Sequence, residues 1–179
     1  MTQTVIASQH DEELNALLRQ RLPEHTIIGI GPGLPQSIPA EATILLARPL
    51  IKPGTTEQPA RPEGWPFKLQ WVQLSSSGID TYPDWLFEVP KVSSARGTSS
   101  VAVAEFALAA IFAGAKNFPQ VWIKDVSQWQ RFTLQRVSGS VLGIVGFGAI
   151  GSALASRALA LGIKVIALNR SGKPFDVPG

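Results

Sequence analysis

The sequence predicts an α/β protein built on parallel sheet, and three observations predict it. Short runs of aliphatic residues recur along the chain. Helical patterns or Pro- and Gly-rich loops separate them. One run, Val141–Val145, leads straight through a glycine-punctuated turn into a helical pattern. The length of 179 residues leaves room for one domain or two small ones, at about 100–200 residues per domain. Hydrophobic residues make up 45% of the chain, enough to bury a core rather than stay disordered.

Thr4–Ala7 reads as a short strand. Asp11–Leu22 reads as a helix, with Leu14, Leu17, Leu18 and Leu22 at helical spacing, acids in its first turn, and Pro23 ending it. Thr26–Ile30 and Ala42–Arg48 are the next strands, closed by Gly31–Pro35 and by Pro49. Lys52–Pro66 is rich in Pro, Gly and charge and reads as an exposed loop. Leu69–Leu74 is a fourth strand and runs into Ser75-Ser-Ser-Gly-Ile-Asp80; Lys91–Ala95 is a fifth. Ser99–Lys116 is a long helical pattern. Its inward face is expected at Val103, Phe106, Ala107, Ala110 and Ile111, with Ser99 or Ser100 as cap. A Trp-bearing stretch, Val121–Gln130, precedes the second α/β start at Val141.

Composition removes several function classes. There is no Cys, so a disulfide framework, a thiolate metal site and a Cys nucleophile are excluded. Only His10 and His25 are present, which leaves no His-rich metal site. The net charge of +3 is small and scattered, giving no reason to expect nucleic acid as a partner. The start of the sequence has no basic, apolar signal pattern. No stretch offers about 20 uninterrupted apolar residues for a membrane span. A soluble, cytoplasmic protein is the expectation.

The segment Val141-Leu-Gly-Ile-Val-Gly146-Phe-Gly148-Ala-Ile-Gly151 carries the chemistry. Gly146 permits a tight turn out of the strand. Gly148, without a Cβ, lets a pyrophosphate approach the backbone, and Gly151 lets the helix pack close. The helix Ala149–Leu161 then points free N–H groups of Ala149 and Ile150, and its dipole, at the phosphates. Gly162 stands where a helix-terminating glycine belongs, and Ile163–Leu168 is the next strand. A strand, this glycine spacing, a helix and a second strand together predict a dinucleotide-binding unit of the Rossmann type.

The end of that second strand reports on the cofactor. A carboxylate is usual there, accepting from the ribose 2′-hydroxyl of NAD. Here the residues are Asn169-Arg170-Ser171, roughly twenty after Gly146. With no carboxylate present, Arg170 can pair with a 2′-phosphate and Ser171 can donate to it. The reading is NADP(H) in preference to NAD(H); the alternative is that Arg170 is a solvated turn residue.

Several segments, in order, resemble the D-isomer-specific 2-hydroxyacid dehydrogenase family. Leu69–Asp80 is similar to its strand and substrate-carboxylate loop. Ser94-Ala-Arg-Gly-Thr98 with Val103-Ala-Glu-Phe106 resembles the entry to its interdomain helix. Trp129 resembles the Trp before its nucleotide domain, and Val141–Ala167 its cofactor fingerprint. Glyoxylate and hydroxypyruvate reductases are the nearest flavour. The resemblance implies a flavodoxin-like substrate domain over 1–97. It implies an interdomain helix with the first β-α-β of an incomplete Rossmann NAD(P)-binding domain over 98–179. It also implies hydride transfer to a small 2-keto acid, whose carboxylate is held by the amides of Ser77 and Gly78, a backbone nest suited to an anion. A homodimer, or a missing C-terminal half, is the implied partner.

The family's catalytic Arg, Glu and His follow the second nucleotide-domain strand, whereas this sequence ends at Gly179. No catalytic residue and no metal ligand is therefore assigned within it. The expectation is a truncated dehydrogenase, inactive by itself. The alternatives are a non-catalytic dinucleotide sensor resembling corepressors of the same fold, and another Rossmann reductase.

Overall fold

The computed structural model describes residues 3–35, 38–51, 58–170 and 172. The chain divides between Arg96 and Gly97 into two compact units.

The first unit contains β1 (Val5–Ser8), α1 (Glu12–Arg21), β2 (Thr26–Gly29), β3 (Ala42–Ala47), β4 (Trp71–Leu74), a 3-10 turn over Asp84–Glu88 and β5 (Lys91–Ser93). All five strands are parallel, in the order β2-β1-β3-β4-β5. That is the flavodoxin-like strand order, which reverses direction at β1/β3. Parallel strands need cover on both faces, and the central ones have it. Ala7, Leu45, Ala47, Val72 and Leu74 are all fully buried.

α1 is positioned by its ends. The Asp11 carboxylate accepts from the N–H of Leu14 at 3.0 Å, while Glu12 and Glu13 stand in the first turn. Its inner face differs from the leucine pattern: Leu17 points out and Asn15 is buried. Asn15 Nδ2 donates to His10 O at 3.1 Å, tying the helix back to the turn that starts it. Gly29 makes room, since a Cβ there would stand 3.0 Å from Asn15 Nδ2.

The loop expected to be exposed is partly core. Its residues 52–57 lie outside the described residues, but Pro62 and Trp65 are buried. The Trp65 ring packs edge-on to Trp85, with centroids 4.7 Å apart, and its Nε1 donates to Trp85 O at 2.7 Å. An indole hides a large apolar area provided its N–H finds an acceptor. Both conditions are met here, and they override the polar composition around it.

The second unit contains α2 (Ser100–Ala115), α3 (Phe118–Val121), a 3-10 turn over Val126–Gln128, β6 (Val141–Val145), α4 (Ala149–Ala160) and β7 (Lys164–Leu168). Ser99 takes the N-cap position of α2, yet its side chain makes no capping bond. The packed face of α2 is Ala104, Ala107, Leu108, Ile111 and Phe112. The sequence reading placed Val103, Phe106 and Ala110 on that face, and all three are exposed. α2 is apolar on every side, so periodicity could not orient it. An ion pair, Arg157 to Glu105 at 3.5 Å, spans α2 and α4.

β6 and β7 are parallel in register, Val141↔Lys164 through Val145↔Leu168. One face, with Leu142, Ile144, Val165 and Ala167, packs into the core. The other exposes Val141, Val145, Ile166 and Leu168, Val145 at 89%. Among the described residues, no helix is long and apolar enough to cross a membrane.

Candidate cofactor and anion sites

In the second unit the glycine turn has the geometry its sequence requires. Gly146 has φ +95°, a left-handed conformation that favours glycine. Its N–H donates to Leu168 O at 2.8 Å, which sets the turn beside the end of β7. A Cβ on Gly151 would lie 2.5 Å from Gly146 O and 3.2 Å from Ile144 Cγ2, so helix and strand approach as closely as glycine allows. A Cβ on Gly148 would meet nothing within 4 Å, so the space in front of the turn is open.

Gly148 is the N-cap of α4, and no side chain caps this helix. The first N–H groups of a helix have no acceptor within it. Those of Ala149 and Ile150, both exposed, therefore face the open side of the turn, at the positive end of the helix dipole. Gly162 ends α4 at φ +73°. Asn169 and Arg170 follow β7 directly; Asn169 is half-buried and Arg170 exposed. Among the described residues Arg170 has no ion-pair partner. Ser171 lies outside the described residues.

In the first unit, Ser75–Asp80 leaves the carboxyl end of β4, the end of an open parallel sheet where ligands bind. Ser75 N–H donates to Ala47 O at 3.0 Å. The N–H of Ala95 donates to Ser76 O at 2.9 Å and Ser77 Oγ donates to Ala95 O at 3.2 Å, stapling the loop on its other side. Ser77 and Gly78 themselves are exposed, and among the described residues their N–H groups have no backbone acceptor. The Asp80 carboxylate fills the place of a Gly78 Cβ, which would stand 2.7 Å from its Oδ1.

The first unit also holds polar contacts of Gln9 and Tyr82, which the sequence did not single out. Gln9, almost wholly buried, donates through Nε2 to Gly33 O and accepts through Oε1 from Arg48 N–H at 2.9 Å. Arg48 itself is exposed. His10 is held below its ordinary value by partial burial and then by Arg48, with Asp11 opposing. Tyr82, 2% exposed, brings its hydroxyl to Ser75, Ser76 and Ala47. These contacts join residues far apart in the chain, and no local pattern announces them.

A strand, a three-glycine turn, an uncapped helix and a parallel second strand define a dinucleotide-binding βαβ unit, accompanied here by a five-stranded parallel α/β unit. Residues 108–177 match the family described as D-isomer specific 2-hydroxyacid dehydrogenase, NAD binding domain. This segment is thus similar to the NAD-binding domain of the D-isomer-specific 2-hydroxyacid dehydrogenases. The chain is similar to a hydroxypyruvate reductase of Thermotoga maritima, at 34% identity over 91 residues, which is 49% of this chain and 30% of that protein. A glyoxylate reductase of Thermococcus litoralis is 36% identical over 93 residues, 46% of this chain and 28% of that protein. Among solved structures, D-lactate dehydrogenase with NAD+ from Lactobacillus jensenii shares the fold. The TM-score is 0.72 at 18% identity, covering 96% of this chain and 55% of that one. The chain thus spans about half the length of such relatives.

Proposed function

We propose that this chain supplies the cofactor-binding turn and the substrate-carboxylate loop of an NADP(H)-preferring 2-hydroxyacid dehydrogenase. Its reaction would be hydride transfer between the nicotinamide and a small 2-keto acid such as glyoxylate or hydroxypyruvate. The division of labour follows the two units: residues 1–96 hold the substrate, and residues 97–179 begin the dinucleotide site. The carrying observation is the uncapped start of α4 behind the Gly146 turn, beside the end of β7, which Asn169 and Arg170 follow.

In this reading Gly146, Gly148 and Gly151 shape the cradle, and the N–H groups of Ala149 and Ile150 donate to the pyrophosphate. Arg170 pairs with the 2′-phosphate, aided by Asn169 and Ser171. The N–H groups of Ser77 and Gly78 bind the substrate carboxylate. The nicotinamide supplies or accepts the hydride. No residue within the sequence is assigned to the proton transfer that accompanies it. The exposed Val101, Val103 and Phe106 of α2 offer an apolar surface to a second copy of the chain.

Calorimetric titration of the chain with NADPH and with NADH tests the reading. A cationic partner for a phosphate is worth tenfold or more in affinity by the usual scale of charged hydrogen bonds, about 1.5–3 kcal/mol. NADPH is expected to bind more tightly by that factor, and Arg170→Asp to reverse the preference. Equal or tighter NADH binding by the native chain overturns the cofactor assignment.

A further inference from the structure

We propose that Tyr82 is a positioning residue for the carboxylate loop, holding the Ser77 and Gly78 N–H groups at the carboxyl edge of the sheet. The inference deepens the proposed function and rests on it. Tyr82 is 2% exposed and belongs to the buried core that also contains Ala47, Leu74, Trp85 and Leu86. Its hydroxyl lies where two strand ends meet. It donates to Ala47 O, the last residue of β3, at 3.4 Å. Ser76 Oγ approaches it at 3.2 Å and Ser75 Oγ at 3.5 Å, both from the loop after β4.

The Ser76 hydroxyl stands between this hub and the cradle. It also lies 2.7 Å from Gly78 O, so its single proton is shared between Gly78 O and Tyr82 Oη. The Gly78 carbonyl is thereby turned towards Ser76. The Gly78 carbonyl fixes the Gly78–Ile79 peptide, and Ser76 O, accepting from Ala95 N–H at 2.9 Å, fixes the Ser76–Ser77 peptide; the Ser77–Gly78 peptide is held between them, and the Ser77 and Gly78 N–H groups have no backbone acceptor among the described residues. A buried hydroxyl with no acceptor is costly. The phenol avoids that cost through Ala47 O and in turn offers Ser75 and Ser76 an acceptor inside the fold.

The test is an amide-resolved NMR titration of the full 179-residue chain with oxalate, a planar, unreactive stand-in for a 2-keto acid. In the native chain, saturable shifts at Ser77 and Gly78 are expected. Tyr82→Phe keeps the ring and removes the hydroxyl, and it is expected to weaken oxalate binding roughly fivefold to tenfold, the worth of one or two hydrogen bonds. Its affinity for reduced cofactor should be unchanged. Ser76→Ala, made in the loop itself, should produce a similar loss without touching the core, whereas Ser76→Thr, which keeps a hydroxyl, should restore most of the affinity. A purely structural Tyr82 would lower thermal stability and leave the oxalate affinity alone; that result overturns the proposal. If oxalate moves neither amide in the native chain, the carboxylate-loop reading itself falls and the role of Tyr82 falls with it.

Discussion

Two strand-turn-helix units of this chain share a plan and differ in what fills the turn. Between β1 and α1, side chains close it. Ser8 Oγ accepts from His10 N–H at 3.2 Å, Asn15 donates to His10 O, Gln9 bridges to Gly33 and Arg48, and Asp11 caps the helix. Between β6 and α4, glycines stand where those side chains would be, and no side chain caps the helix. The sheets differ in the same sense. The first unit buries its central strands, whereas β6 and β7 leave Val145, Ile166 and Leu168 exposed. The first N–H groups of a helix have no acceptor within it. One turn supplies an acceptor from the chain itself; the other leaves them facing open space.

The largest break in this comparison is at Gly151. A helical Gly→Ala change ordinarily stabilises by about 1 kcal/mol. Here the new Cβ would stand 2.5 Å from a backbone oxygen, and overpacking costs about 1–3 kcal/mol. Gly151→Ala is therefore expected to lower stability despite its propensity, and Gly151→Val to lower it further. Both should abolish cofactor binding. Thermal unfolding with calorimetry reads the two effects, and a stabilised Gly151→Ala would mean that α4 does not pack on the Gly146 turn.

Gly148→Asp makes the second turn resemble the first. Its φ is −95° and a Cβ there meets nothing, so the backbone accepts the change. An Asp N-cap improves on Gly by a few tenths of a kcal/mol. The same carboxylate repels a pyrophosphate at close range, which should weaken NADPH binding by about a hundredfold or more. Stability held or raised while binding collapses is the expected signature. Undiminished NADPH binding would move the phosphates away from this turn.

Asp11→Ala opens the first turn instead. Loss of an N-cap costs about 1 kcal/mol. Chemical denaturation should show that loss, with NADPH affinity unchanged, because the cap bonds only within its own helix. A change in cofactor affinity would contradict the division between a turn that caps its own helix and the turn proposed to take the cofactor.

The sequence carried these two turns unequally. The glycine spacing is local, and each glycine has a steric reason that can be read without the fold, so Gly146, Gly148 and Gly151 and the flanking elements were legible. Asp11 as a cap was legible only as acidity. The leucine spacing of α1 misplaced Leu17, because Asn15 is held inside by a hydrogen bond that only the folded turn provides. The orientation of α2 was not legible either, since an all-round apolar helix has no preferred face. Tyr82 was silent for a further reason: its partner Ala47 lies 35 residues away and is reached through a backbone carbonyl, which has no signature in sequence.

The smallest expected effect concerns pH. The first turn contains a titrating side chain, His10; the Gly146–Gly151 turn contains none. Burial first, and then Arg48, hold the folded pKa of His10 below its ordinary 6.5. The unfolded chain therefore takes up its proton first as pH falls. The stability associated with neutral His10 is fully present above about 6.5 and declines as pH drops through that value towards the folded pKa. His10 is only partly buried, so the decline should be smaller than the effect of Asp11→Ala. Denaturation midpoints at pH 7.5 and 5.5 (both illustrative, about one unit either side of the ordinary value) should fall slightly more for the native chain than for His10→Gln. Equal declines would place the pH sensitivity elsewhere and leave both turns inert to protons.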